Sequence, residues 1–310
     1  MKNRNVFLLV IIVGVVIAVL FLLTSRNNKM KPAGSEYDAS EDFSCTEIKK
    51  MVEEGEIDTA IERLNKAIVE NPRAKNIIEG HILLAELYVK NDQLLKAKKV
   101  YHDLIAKFPN HQDVSAIQNK LWDLNIKVLF SPIKTDDATI YEVQAGDALF
   151  KIAKKFNTTV GMLTRANNLS SSHIYPSQQL KVTTAKFSMI IDKSLNTLTL
   201  KANDEILKIY RVATGKNNST PVGDFKILTK LIDPPWYKTG AILPIPPESP
   251  ENILGSRWMG IDVQGYGIHG TTIPESIGKS TTAGCVRMLN TDVEELYDIV
   301  PVGTGVVIQE

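Results

Sequence analysis

Cysteine is nearly missing from this chain of 310 residues, where only Cys45 and Cys285 occur. At most one disulfide is possible, and the two lie in segments that read as separate domains, so both are expected to be thiols. An excess of charge of either sign is missing too. Lys and Arg number 36 against 35 Asp and Glu, a net charge of +1, which supplies no basic field for nucleic acid. Nor is there a metal-ligand cluster, a phosphate loop or a dinucleotide fingerprint, so neither cofactor nor metal is implied. Histidine is scarce near the C-terminus, where His269 is the only one in the last 125 residues. What is present is ordinary for globular protein, with 44% hydrophobic and 23% charged residues. The length exceeds one compact core and suits two or three domains.

Val6 to Leu23 is an unbroken apolar run preceded by Lys2 and Arg4. As a helix it would rise about 27 Å, close to a hydrocarbon core of about 30 Å. Leu23-Thr24-Ser25-Arg26 makes a poor cleavage site, and no lipobox-like cysteine follows. The expectation is an uncleaved N-terminal transmembrane helix over residues 1–25, not a signal peptide. Arg26, Lys29 and Lys31 balance the N-terminal charges, so counting does not orient it. Residues 26–43 read as a polar linker.

Residues 44–128 are helical by pattern, and the pattern repeats. Ala60, Leu64, Ala67 and Pro72 recur as Ala97, Tyr101, Leu104 and Pro109, each at an offset of 37. Breaks fall at Gly55-Glu56 and Asn91-Asp92, and Asp113 to Asn125 reads as a capping helix. The segment resembles tetratricopeptide repeats, whose unit is nearer 34 residues. A groove for a protein partner and a plain helical spacer both fit.

After Ser131-Pro132, residues 139–183 form a compact βααβ pattern. An alternating strand runs into Gly146-Asp147, Ile152, Ala153 and Phe156 recur at helical spacing, and Val160, Leu163 and Asn167 mark a second helix. The segment to Val182 returns as a strand. This resembles a LysM domain, with Ala148 and Ser177 in place of the commoner Thr/Ser and Gly. The resemblance implies binding of N-acetylglucosamine-containing glycan by Gly146, Asp147, Ala148 and Leu149 together with Ile174, Tyr175 and Pro176.

Residues 187–310 are mainly β. Strand-like runs begin at Ser188, Thr197 and Ile206, and Thr220-Pro221-Val222-Gly223 turns into another. Six of the 14 prolines lie between Leu231 and Ser256, which reads as a stiff lid. Asn290 to Val300 reads as a helix and Thr304 to Ile308 as a closing strand.

Within this region His269 and Cys285 stand sixteen positions apart on glycine-rich turns. A thiol of pKa about 8.5 needs a base near neutral pH, and an imidazole supplies one. Gly284 would let backbone N–H groups approach a substrate carbonyl. Gly267-Ile268-His269-Gly270-Thr271 and Thr282-Ala283-Gly284-Cys285-Val286-Arg287-Met288 resemble the motifs of the YkuD family of L,D-transpeptidases. The likeness extends through Thr220 to Phe225 and Arg257 to Gly260. Ala283 stands where the family usually has a second histidine.

That resemblance implies a sandwich-like domain that cross-links peptidoglycan stem peptides. Cys285 would be the nucleophile and His269 the general base and acid, with the Gly270 carbonyl orienting its ring. Backbone N–H groups of Gly284 and Cys285 would hold the oxyanion, and Arg287, Trp258 and Thr271 would bind substrate. The wall-directed domains place the bulk of the chain outside a cell membrane held by one span. Two alternatives stay open: an L,D-carboxypeptidase that uses water as acceptor, and a catalytically weak wall-binding scaffold.

Overall fold

The structure, a computed structural model, describes residues 45–238 and 240–310. The apolar run Val6 to Leu23 and the polar linker lie outside the described residues. Among the described residues no helix is long and apolar enough to cross a membrane. The longest, Val114–Leu129, has 16 residues. It would rise about 24 Å and carries Lys120, Asp123 and Lys127. On this finding the expected fold class, the membrane as partner and the single-pass localisation are corrected for the described residues, which hold no membrane-spanning helix.

The chain divides between Gly80 and His81 into two compact units. In the first, α1 (Cys45–Glu53) turns at Gly55, φ +87°, into α2 (Ile57–Glu70). Ala60, Ile61 and Leu64 recur at helical spacing on α2 and are buried with Ile48 of α1. Next come α3 (Ile77–Lys90) and, in the second unit, α4 (Leu94–Lys107) and α5 (Val114–Leu129). Helices α2 and α4 have 14 residues each and start at positions 37 apart. Both end before a proline, where the αR region is disfavoured, and their C-cap residues Asn71 and Phe108 have nearly equal backbone angles. The sequence repeat is thus a repeat of conformation.

The βααβ module consists of β1 (Ala138–Glu142), α6 (Leu149–Lys155), α7 (Val160–Ala166) and β2 (Gln179–Thr183). Strands β1 and β2 are antiparallel, with Tyr141 opposite Leu180. Leu149, Ile152, Leu163, Leu180 and Val182 form its core.

The C-terminal part contains β3 (Phe187–Asp192), β4 (Thr197–Ala202), β5 (Glu205–Arg211), β6 (Thr214–Gly215), β7 (Gly223–Ile232), β8 (Arg257–Ile261), β9 (Gly267–His269), β10 (Ser280–Thr282), β11 (Val286–Arg287), α8 (Asn290–Ile299) and β12 (Gly305–Gln309). Eight strands make one mixed sheet in the order β11-β9-β8-β7-β12-β3-β4-β5, and β10 pairs with β6 separately. Strand β7 serves both halves of the sheet. Its start pairs with β12 and its end with β8, with an irregularity between Ile227 and Thr229. Such a bulged strand is how sandwich corners are turned. Met189, Ile191, Leu198 and Leu200 alternate inward and are fully buried. Val293, Leu296 and Ile299 of α8 join them in one core.

Candidate active site

Strand β11 lies parallel to β9, with Val286 opposite Ile268 and Arg287 opposite His269. Cys285 immediately precedes this ladder. Residues two apart on a strand share a face, so Cys285, Arg287 and His269 point to the same side. Strand spacing and rise place the Cys285 and His269 Cα atoms about 8 Å apart, and their side chains can span the gap.

His269 is buried, and its Nδ1 lies 2.7 Å from the Gly270 carbonyl oxygen. A carbonyl only accepts, so Nδ1 carries the proton and Nε2 keeps its lone pair. The Trp258 ring stacks on the imidazole, centroids 5.9 Å apart and planes at 20°. Burial pulls the His269 pKa down to about 4. The Gly270 carbonyl opposes that shift, the Arg287 charge adds to it, and the Leu254 carbonyl opposes it weakly. Cys285 is half-buried and donates its S–H to the Gly265 carbonyl at 3.4 Å. Burial raises its pKa against the lowering effects of the Gly267 backbone and Arg287. The resting pair is therefore neutral thiol and neutral imidazole, not an ion pair. The thiol must turn from Gly265 to Nε2 before its proton can pass.

The nucleophile loop is held by two threonines. Thr282 Oγ1 accepts from Gly284 N–H at 3.1 Å and donates to the Cys285 carbonyl at 2.6 Å. Thr220 Oγ1 donates to the Gly284 carbonyl at 2.8 Å and accepts from Gly215 N–H at 2.7 Å. Gly284 has φ +142°, and a Cβ there would stand 2.6 Å from the Tyr266 ring. Of the expected oxyanion pair, Gly284 N–H is already engaged by Thr282. Ala283 is exposed and makes none of these contacts.

Arg287 is buried, with one guanidinium nitrogen donating to Ser276 Oγ at 3.0 Å and its Nε buried without a partner. Two other expected substrate residues make structural contacts. Trp258 stacks on the imidazole. Buried Thr271 accepts from Ile273 N–H at 2.8 Å and donates its own N–H to Asn290 Oδ1 at 2.9 Å. Asn290 Oδ1 also accepts from Ser256 N–H at 3.3 Å. It thus clamps the turn that carries the Gly270 carbonyl.

The proline-rich insertion is anchored, as its composition suggests. Trp236 and Ile245 exchange backbone hydrogen bonds of 2.8 and 2.9 Å. Buried Asn252 donates to the Pro234 carbonyl at 2.9 Å and the Pro246 carbonyl at 3.2 Å. The insertion ends at Gly255, φ +65°, where a Cβ would collide with Asn290 Oδ1 and Thr271 N.

In the βααβ module, Asp147 accepts from Tyr141 OH and Gln144 N–H, each at 2.8 Å, and so holds the turn. Lys151 donates to the Gly146 carbonyl at 2.8 Å. Leu149 is only 3% exposed, which corrects its expected place on the glycan surface: it is core. Ala148 and Ile174 are half-buried. Tyr175 is 71% exposed, and Pro176 is exposed beside it. Phe150, 63% exposed, offers a second ring. It was missed because an aromatic at a helix start reads as core.

Sequence reasoning also missed Asn290 and the holding roles of Thr220 and Thr282. The threonines stand inside recognisable motifs, but nothing in the sequence marks Asn290 as more than a helix start.

A family model described as the L,D-transpeptidase catalytic domain (YkuD) matches residues 186–308, and the LysM domain model matches residues 141–183. "Putative L,D-transpeptidase YkuD" of Bacillus subtilis (strain 168) is 34% identical over 175 residues, covering 54% of this chain and 97% of that protein. "Putative L,D-transpeptidase YqjB" of the same organism is 40% identical over 128 residues, covering 39% and 70%. Among solved structures, the catalytic domain of the E. faecium L,D-transpeptidase is 24% identical with a TM-score of 0.34, covering 40% of this chain and 97% of that one.

Proposed function

The chain belongs to the YkuD family of L,D-transpeptidases, and we propose that Cys285 and His269 carry its acyl transfer. It is a cysteine enzyme acting on peptidoglycan. In our reading, Sγ of Cys285 attacks the carbonyl between the L-centre and the terminal D-Ala of a tetrapeptide stem, as its proton passes to His269 Nε2. The new S–C bond makes a tetrahedral oxyanion facing the Cys285 N–H; one such donor is worth about 3 kcal/mol. His269 returns the proton to the nitrogen of D-Ala as the C–N bond breaks, leaving a thioester. An amine of a second stem attacks it, His269 takes that proton, and the C–S bond breaks to restore the thiol. Arg287, with its Nε unpaired, is assigned to a stem carboxylate.

The observation that carries this reading is the 2.7 Å bond from His269 Nδ1 to the Gly270 carbonyl. It leaves Nε2 basic on the face that Cys285 shares. A low imidazole pKa and a raised thiol pKa favour proton transfer during attack over a preformed thiolate. The test is incubation with purified tetrapeptide stems, with and without an added amine acceptor, followed by product masses. Release of D-Ala with a cross-linked product supports transfer. Hydrolysed stem as the sole product in both cases would assign a carboxypeptidase, and no release at all would leave a wall-binding scaffold.

The helix pairs are assigned a tetratricopeptide-like role. The support is the 37-residue repeat with matched helix lengths and caps at α2 and α4.

A further inference from the structure

The short sequences flanking residues 139–183 suggest a separable module, but the contacts of that module point elsewhere. Met162 of α7 is 1% exposed and belongs to the catalytic core, in one cluster with Leu296 and Ile299 of α8 and with Ile126 and Leu129 of α5. Thr159, which caps α7 by accepting from Met162 N–H at 2.8 Å, also donates its hydroxyl to the Asp298 carbonyl of α8. Arg165 pairs with the Asp298 carboxylate at 3.3 Å and lies 3.5 Å from the centre of the Phe130 ring. Gly161 presses so closely on Asp298 that a Cβ there would collide with the carboxylate. On β2, buried Lys181 donates to the carbonyls of Val128, Leu129 and Ser131 at 3.1, 3.3 and 2.8 Å, which closes the C-terminal end of α5. Meanwhile Phe150 at the start of α6 and Tyr175 and Pro176 in the loop before β2 stay exposed. One side of the module is built into the catalytic body and the other is left open.

We propose that the LysM module is a fixed rest for the glycan, which makes Cys285 selective for stems carried on a glycan strand over the same stems on a lone disaccharide. The inference rests on the transpeptidase reading above. A flexible tether raises local concentration for any stem within reach. A rigid one concentrates only stems whose spacing along the strand matches the span from groove to thiol, but does so strongly. On this proposal a disaccharide is too short to fill the groove and reach Cys285 at once, so it gains nothing from the module.

The test locks the docked state. In a Cys45→Ser background, Gly161→Cys with Asp298→Cys places two Cβ atoms about 3.1 Å apart, a few tenths of an ångström inside the disulfide range of about 3.5–4.5 Å. Bond formation is read by mass spectrometry. Turnover is compared in oxidised and reduced forms on disaccharide-tetrapeptide and on glycan strands bearing tetrapeptides. The expected result is a kcat/KM at least about tenfold higher per stem on strands, the same in both forms. Failure of the bond to form, or loss of strand turnover on oxidation with disaccharide turnover kept, overturns the proposal by showing that the module must move. Equal turnover of the two substrates by the unmodified protein also overturns it. Should the double variant not fold, Arg165→Glu sets like charges against Asp298 and should erase the strand preference while leaving disaccharide turnover intact; an unchanged preference counts against us. Absence of turnover on both substrates by the unmodified protein would instead refute the transpeptidase reading.

Discussion

Asn290 Oδ1 accepts the Thr271 N–H at 2.9 Å. Through that bond the first residue of α8 fixes the turn whose Gly270 carbonyl orients the imidazole of His269. Asn290→Ala removes the acceptor shared by Thr271 and Ser256 N–H, and each donor left unsatisfied costs about 1–3 kcal/mol. The ring would then drift, and a misplacement of about 1 Å costs as much as 10²-fold. We expect kcat to fall about 10- to 100-fold with KM little changed and Cys285 still alkylated. A Tm drop with full kcat would reduce Asn290 to a structural clamp.

The acid limb of kcat/KM should report His269. With its pKa pulled down to about 4, the imidazole stays a base until the pH falls through about 4, well below the ordinary value near 6.5. Activity lost instead through pH 6.5 would mean that the imidazole is solvated.

The same shift predicts a stability slope. Unfolded His269 binds a proton near pH 6.5, whereas the folded form resists until about pH 4, so the unfolded state holds more protons between these limits. Stability is therefore undiminished by this group above pH 6.5 and declines as the pH falls toward 4, by about 3 kcal/mol in all. Urea titrations at pH 7.5 and 4.5 should show a smaller acid loss for His269→Asn than for the parent. Equal losses would remove His269 from the balance.

Reactivity should separate the two cysteines. Cys45 is 8% exposed, while Cys285 is half-buried at the site. Iodoacetamide should label Cys285 first, yet slowly at pH 7, because burial keeps the thiol protonated. Cys285→Ser should abolish D-Ala release and Cys45→Ser should leave it intact. Equal labelling, with release retained by Cys285→Ser, would unseat the assigned nucleophile.

Thr282 ties both ends of the nucleophile turn. Thr282→Val keeps the shape but removes both hydrogen bonds, at about 1–3 kcal/mol for the orphaned Gly284 N–H. It should cut kcat about tenfold, while Thr282→Ser restores it. Full activity in Thr282→Val with loss in Thr282→Ser would show that the methyl group, not the hydroxyl, matters.

Residue chemistry and local period determined a good part of this protein from the sequence by itself. The spacing of His269 and Cys285 on glycine turns marked the pair proposed here as reactive, because a thiol and its base need small neighbours that let backbone approach. Alternation at Met189, Ile191, Leu198 and Leu200 marked strands, and the offset of 37 marked helices that recur with the same ends. The apolar run at Val6 was legible only as hydropathy and lies outside the described residues. Tertiary structure alone decided which groups were already engaged. Gly284 N–H is spent on Thr282, Leu149 is core, and His269 is neutral because burial outweighs its carbonyl partners. Asn290 meets Thr271 from 19 positions away and Thr159 meets Asp298 from 139. No local pattern encodes such encounters, because hydrogen-bond saturation and desolvation depend on what the folded chain brings near, not on what lies beside a residue in sequence.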